Sequence, residues 1–248
     1  ISKNYEFNKA SDKGIYLIHG FTSSTYELLD LAKFLSENGF YVKLDNLPGH
    51  GTTVDDCNHT KYKEWVNHVE KGLAEVASKC DEIHVIGISM GSVLGLYLAS
   101  IFPLTSLIEA AAVFKFKNEF NVRVLVPLLS CLITKKSKSS QYKGSHEKKL
   151  KFHGYNEYPL KALNEMRKLT NFVYPRLKKV KCPIMFIHTK ADLTSIMENY
   201  HIVKNNVKSE KQKDLILENT SHNLFVKSPD QKEIFQNILN FLTDSFKI

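Results

Sequence analysis

The chain has 248 residues, 43% of them hydrophobic and 24% charged, with a formal net charge of +8 at pH 7. That composition lies near the globular average, which speaks against a disordered chain or a fibrous repeat, and a chain of this length can bury a large core without staples. The positive charge does not point to nucleic acid. The stretch from Lys135 to Lys151 sets seven lysines against Glu147 alone and so carries +6 of the +8; no helix-turn-helix, RNP-like or zinc signature accompanies it, and it reads as solvated surface.

Four cysteines, Cys57, Cys80, Cys131 and Cys182, are widely spaced with no C-x-x-C pair. This argues against a zinc site or a disulfide framework and fits a reducing, cytoplasmic setting. No apolar run reaches the roughly 18 residues of a spanning helix. The first residue is Ile1 rather than Met, which leaves room for a processed leader.

The N-terminal half alternates two periodicities. Ile15-Tyr16-Leu17-Ile18 is a strand-like run ending at His19-Gly20, and Leu28, Leu29, Leu31, Ala32, Phe34 and Leu35 then recur at helical spacing up to a stop at Asn38-Gly39. Phe40 to Leu44 is the next strand, followed by a loop holding Pro48-Gly49-His50-Gly51 and a helix through Trp65, Val69, Leu73 and Val76. Ile83 to Ile88 predicts a third strand, Val93 to Leu98 a third helix, and Leu107 to Val113 a fourth apolar run. Such alternation implies right-handed crossovers and a mostly parallel sheet covered on both faces. The pattern breaks near Lys115 and resumes at Ile184 to His188; between them lie the aliphatic stretch Val122 to Ile133, the lysine run and an amphipathic helix near Leu160 to Leu169. A strand at Leu215 to Leu217 and a last helix follow, the helix signalled by Ser228 as N-cap, Pro229 at its first position and Gln231 in capping-box register.

The strongest chemical feature is Gly87-Ile88-Ser89-Met90-Gly91, set between a strand and a helix. A serine on so tight a turn projects its hydroxyl from the sheet edge, the glycines keep side chains out of neighbouring backbone, and the helix N-terminus at Met90 aims amide N–H groups at a developing oxyanion. The alternative is a serine that only N-caps the helix. An activated serine needs a base, and among ten histidines His222 stands out in a polar loop between the last strand and the last helix. His19, His50 and His188 read better as structural, bonded to nearby loop backbone. The group orienting the base would be Asp192, in the loop after the strand Ile184 to His188; Glu218 competes but is only four residues from His222, and Asp214 sits at the start of its strand. Phe21, after the first long strand, can offer a backbone N–H opposite that of Met90.

Together these residues resemble an α/β-hydrolase, and within that group the bacterial carboxylesterase and monoacylglycerol lipase branch, through H-G-F-T at 19–22, P-G-H-G at 48–51, G-I-S-M-G at 87–91, Asp192 and Ser221-His222. The resemblance spans Gly14 to the last helix and is weakest from about Lys117 to Lys181. It implies one α/β-hydrolase domain over residues 1–248 with a cap inserted at about 117–181, Ser89 as nucleophile, His222 as base, Asp192 as orienting acid, and the N–H groups of Phe21 and Met90 as oxyanion hole. It implies no metal and no organic cofactor. One departure is that Lys190-Ala191 precede Asp192 where many relatives carry a glycine two residues before the acid.

The substrate expected is a small acyl ester, of short to medium chain or a monoacylglycerol. Some of the aliphatic stretch Val122 to Ile133 is expected to cover the pocket or pack on the sheet, and the lysines after it suggest weak contact with a lipid surface. A thioesterase or an esterase for cinnamoyl-type acids would use the same residues. A non-catalytic binding protein on the same scaffold is a second class, which the complete set of chemical residues opposes.

Overall fold

The computed structural model describes residues 3–130, 132–138 and 154–244. Cys131, Lys143, Glu147, Lys148, Lys149 and Lys151 lie outside them.

In chain order the elements are β1 (Tyr5–Phe7), β2 (Lys13–Ile18), α1 (Leu29–Glu37), β3 (Tyr41–Leu44), α2 (Val54–His59), α3 (Tyr62–Ala77), β4 (Glu82–Ile88), α4 (Met90–Ala99) and β5 (Ser106–Ala110). Then come a wide helical turn (Asn121–Leu125) running into α5 (Val126–Leu129), the pair β6 (Lys135–Ser137) and β7 (Glu157–Pro159), α6 (Leu160–Val173), β8 (Ile184–Thr189), α7 (Met197–Asn206), β9 (Gln212–Leu217) and α8 (Gln231–Asp244). Seven strands form one sheet in the order β1-β3-β2-β4-β5-β8-β9. Every pair is parallel except β1 with β3. β6 and β7 pair separately and antiparallel.

The period of two in each strand sorts its side chains to opposite faces. Ile15, Leu17, Ile86, Ile88, Met185 and Ile187 pack under α1 and α8, while Tyr16, Ile18, Val85, Ile184 and Phe186 pack under α3, α4 and α7. All ten residues of α4 are buried. A helix apolar on every side belongs in the centre of a layer, and α4 lies between the sheet and α6. The strand order matters most for function. β2 is followed in sequence by β3 on one side and by β4 on the other, so the loops leaving β2 and β4 face each other across the crevice of a topological switch, where open α/β sheets bind ligands.

Several expectations change. β1, antiparallel at the sheet edge, is too short to leave a periodic signal. Ahead of the last helix, which runs from Gln231, Ser228 Oγ accepts the Asp230 N–H (3.2 Å) as the expected cap does, but Gln231 Nε2 reaches the Phe225 carbonyl in place of the capping-box bond. The aliphatic stretch after β5 is only partly buried and packs on α6. Val122 is buried, but Phe120, Leu128 and Leu132 are 67%, 65% and 81% exposed. Lys138, in the supposedly solvated lysine run, is only 6% exposed. Among the described residues no helix is long and apolar enough to cross a membrane.

Candidate active site

One residue separates β4 from α4, and it is Ser89, with φ 57° and ψ −115°. An L-residue is strained there and is held only because its surroundings over-determine it. The Ser89 N–H donates to the Ala110 carbonyl on β5 (2.8 Å), and its carbonyl accepts the Val93 N–H inside α4 (3.2 Å). The side chain makes no capping bond to α4, so the simple N-cap role is not realised. The turn closes so tightly that a Cβ on Gly87 would lie 2.3 Å from the Gly91 carbonyl oxygen.

Asp192 and His222 come from two loops, after β8 and after β9, that parallel pairing brings to the same edge. Asp192 Oδ2 accepts a hydrogen bond from His222 Nδ1 at 2.6 Å, while Oδ1 accepts the N–H groups of Thr194 (2.7 Å) and Ser195 (2.9 Å). Burial alone would raise the Asp192 carboxyl; the charge and N–H of His222 and the two backbone amides outweigh it and hold the carboxyl below its usual range. An ionised Asp192 makes Nδ1 the donor and leaves Nε2 as the acceptor of the neutral ring. Thr189 Oγ1 donates to the Thr220 carbonyl (2.6 Å), tying the His222 loop to the end of β8. Glu218 points elsewhere, pairing with Lys190 at 2.8 Å, and Asp214 pairs with Lys204.

The loop after β2 runs against Ser89: a Cβ added to Gly20 would be 3.3 Å from Ser89 Cβ and 3.5 Å from the Ile88 carbonyl oxygen. His19 anchors this loop. Its Nε2 accepts the Leu47 N–H (3.0 Å), so Nδ1 carries the proton and donates to the Gly20 carbonyl (2.9 Å). His50 bonds the Pro48 carbonyl (3.0 Å) and packs its ring near those of His19, Phe21 and Trp65. The Pro48-Gly49-His50-Gly51 loop therefore supports Phe21 from behind. His188 departs from its expected backbone partner and bonds both oxygens of the buried Glu109 at 3.1 Å.

Sequence reading missed two buried charged groups beside this loop. Glu27 accepts the Gly20 N–H at 2.7 Å, and Lys138 donates to Thr22 Oγ1 at 2.5 Å. Neither residue type marks its own burial: Glu27 turns back onto a backbone group seven residues earlier, and Lys138 meets a segment 116 residues away that only the fold brings near.

Burial also sets the acid response. Desolvation lowers His19 to about 3 and His50 and His84 to about 4, from an ordinary value of 6.5. Their folded values lie below the unfolded one, so as pH falls the unfolded chain takes up protons first. Their stabilisation is complete above about pH 6.5 and is lost as pH falls toward 4, each group contributing a slope of up to about 1.4 kcal/mol per pH unit. The urea midpoint should fall steadily from pH 6.5 to 4, and His50→Gln should flatten that slope; a midpoint constant through the window would contradict this account.

The sheet, its strand order and a strained serine between strand and helix define the molecule as an α/β-hydrolase. The chain belongs to the family described as serine aminopeptidase, S33, whose model matches residues 9–229. It is 26% identical over 234 residues to a thermostable monoacylglycerol lipase of Bacillus sp. (strain H-257), covering 92% of this chain and 89% of that protein. It is 22% identical over 236 residues to a carboxylesterase of Bacillus subtilis (strain 168), covering 94% of each. Among solved structures, one reported for the metagenome-derived lipolytic enzymes LipS and LipT superposes with a TM-score of 0.87 at 22% identity, covering 98% of both chains.

Proposed function

We propose that this chain hydrolyses carboxylic esters by two-step acyl transfer, on short- to medium-chain acyl esters or monoacylglycerols. The observation that carries the reading is the 2.6 Å bond between Asp192 and His222 at the sheet edge where Ser89 is held strained. Ser89 Oγ attacks the ester carbonyl while His222 Nε2 takes its proton; the carbonyl oxygen becomes an oxyanion stabilised by the N–H groups of Phe21 and Met90. The C–O bond then breaks and the alcohol leaves with the proton from His222. Water, deprotonated by His222, attacks the acyl-enzyme, and the acid leaves as Ser89 is regenerated. Asp192 holds the ring in the productive tautomer and stabilises the imidazolium. The family description names an aminopeptidase, but both curated relatives named above are ester hydrolases, which favours the ester reading.

Residues 117–181 are read as a cap within a single domain spanning 1–248. Within it the exposed Phe120, Leu128 and Leu132, with the exposed Lys136 close behind in sequence, fit contact with an anionic lipid surface. Leu128→Asp with Lys136→Glu should lower partitioning onto anionic vesicles by about tenfold or more; unchanged partitioning in a sedimentation assay would remove the lipid contact.

The deciding experiment is hydrolysis of p-nitrophenyl esters from acetyl to palmitoyl, with wild type beside Ser89→Ala. Turnover that disappears in the variant supports the serine mechanism, and the best chain length sizes the acyl pocket. No turnover across the series by folded wild type would reject these esters in favour of thioesters or aromatic acids.

A further inference from the structure

The loop after β2 is gripped from two sides by buried charged groups. On the core side Glu27, in a tight turn (Thr25–Leu28) leading into α1, is 8% exposed, and its Oε2 accepts the Gly20 N–H at 2.7 Å. From the segment between β5 and β8, Lys138, next after β6, donates to Thr22 Oγ1 at 2.5 Å with its ammonium 4.8 Å from the centroid of the Tyr158 ring. The same segment contributes the Tyr155 N–H, which donates to the Thr22 carbonyl at 2.9 Å. Thr22 is held at φ 63°, a conformation a β-branched residue seldom adopts unaided.

Gly20 and Thr22 flank Phe21. The peptide unit that carries the Phe21 N–H is held by His19 Nδ1 on the Gly20 carbonyl; Glu27 holds the unit before it, and Lys138 and Tyr155 hold Thr22 after it. Restraint on either side limits the rotations that would turn this N–H, and an oxyanion donor works only when aimed to within a fraction of an ångström. Hydrogen bonds to charged partners in a low-dielectric site are stiffer than neutral ones in water, so buried charges suit this task despite the cost of burying them. Burial lowers the Lys138 ammonium to about 8, with Glu27 acting in the opposite direction.

We propose that Glu27 and Lys138 are positioning residues that set the aim of the Phe21 N–H, Glu27 from the core and Lys138 from the segment between β5 and β8. Docking of that segment against the core thereby completes the oxyanion site. The inference rests on the reading of Ser89 and Phe21 under the proposed function.

The test measures kcat, KM and the inhibition constant of an alkyl trifluoromethyl ketone, which forms a tetrahedral adduct with the nucleophile, for Glu27→Leu, Lys138→Met and Thr22→Val. The expected result is a fall in kcat of about tenfold to a hundredfold with KM within about twofold, and a matching loss of inhibitor affinity. Glu27→Gln, which keeps an oxygen to accept the Gly20 N–H, should recover most of the rate. Lys138→Met combined with Thr22→Val should be no worse than either alone, because both remove one bond. Wild-type kcat and inhibitor affinity in variants whose denaturation midpoint has dropped would reduce both residues to structural supports and overturn the proposal. If Glu27→Leu does not fold, Glu27→Gln and Thr22→Val carry the test. Ser89→Ala in the same series separates the two readings: turnover retained there rejects the serine mechanism, whereas turnover lost there but kept in the positioning variants rejects only the positioning role.

Discussion

Ser89→Ala is expected to lower ester turnover by roughly 10⁴- to 10⁶-fold, the range seen when a nucleophile acting as a unit with its base is removed. The residual rate would come from the oxyanion donors and substrate binding alone. The fold should be untouched, because the Ser89 hydroxyl caps nothing in α4 and the backbone bonds from Ser89 to Ala110 and Val93 do not involve the side chain. Alanine keeps the same strained φ of 57°, so Ser89→Ala should unfold within a degree or two of wild type. Ser89→Gly should be the more stable of the two, by about 1 kcal/mol, because glycine adopts that conformation without strain. Calorimetry on the three proteins beside the ester assay checks both statements. A variant with full turnover would remove Ser89 from the chemistry, and a Ser89→Gly no more stable than Ser89→Ala would remove strain from the account of the turn.

Gly91→Ala should be among the most damaging single substitutions for stability. A Cβ there would lie 2.0 Å from the Ile18 carbonyl oxygen, 2.6 Å from the Ile18 carbonyl carbon and 2.7 Å from the His19 carbonyl oxygen. All three are backbone atoms, so no side-chain rotation relieves the clash. α4 would have to move off β2, yet it is buried along its whole length, and the displacement would spread through a close-packed layer. A cost of about 3 kcal/mol or more is expected. Gly95 in the same helix is the control: its added Cβ meets only side chains, Leu107 Cδ1 at 3.1 Å and Val85 Cγ1 at 3.3 Å. Gly95→Ala should fall within about 1 kcal/mol of wild type, since gained helix propensity offsets tighter packing. Urea unfolding of both variants decides the matter. A Gly91→Ala as stable as Gly95→Ala would mean that α4 and β2 do not approach as closely as described.

Much of the scaffold was legible because it is written in local periodicity. Short continuous apolar runs alternating with helices of period near 3.6 announced the parallel sheet, and Gly87-Ile88-Ser89-Met90-Gly91 announced a tight turn between them. Edge and terminal features were less legible: β1 has three residues and no alternation to read, and Gln231, expected to bond back to Ser228, turns to the Phe225 carbonyl. The aliphatic stretch after β5 is divided: Val122 is buried in the core, whereas Leu128, Leu132 and Ile133 are exposed.

The chemistry divides along the same line. Residue types and chain order nominated Ser89, Asp192 and His222, since a strand end followed by a polar loop lands at one edge of a parallel sheet whatever lies between. The sequence already favoured Asp192 over Glu218 as the partner of His222, and the tertiary structure supplies the bond. Glu218 is four residues away and turns to Lys190, while Asp192 is thirty away and reaches the ring at 2.6 Å. Strand register, not separation along the chain, sets which loops meet. Glu27 and Lys138 were not legible because a charged side chain carries no local mark of burial: Glu27 folds back seven residues onto Gly20 as the chain turns into α1, and Lys138 is taken out of water by docking a segment 116 residues away against Thr22.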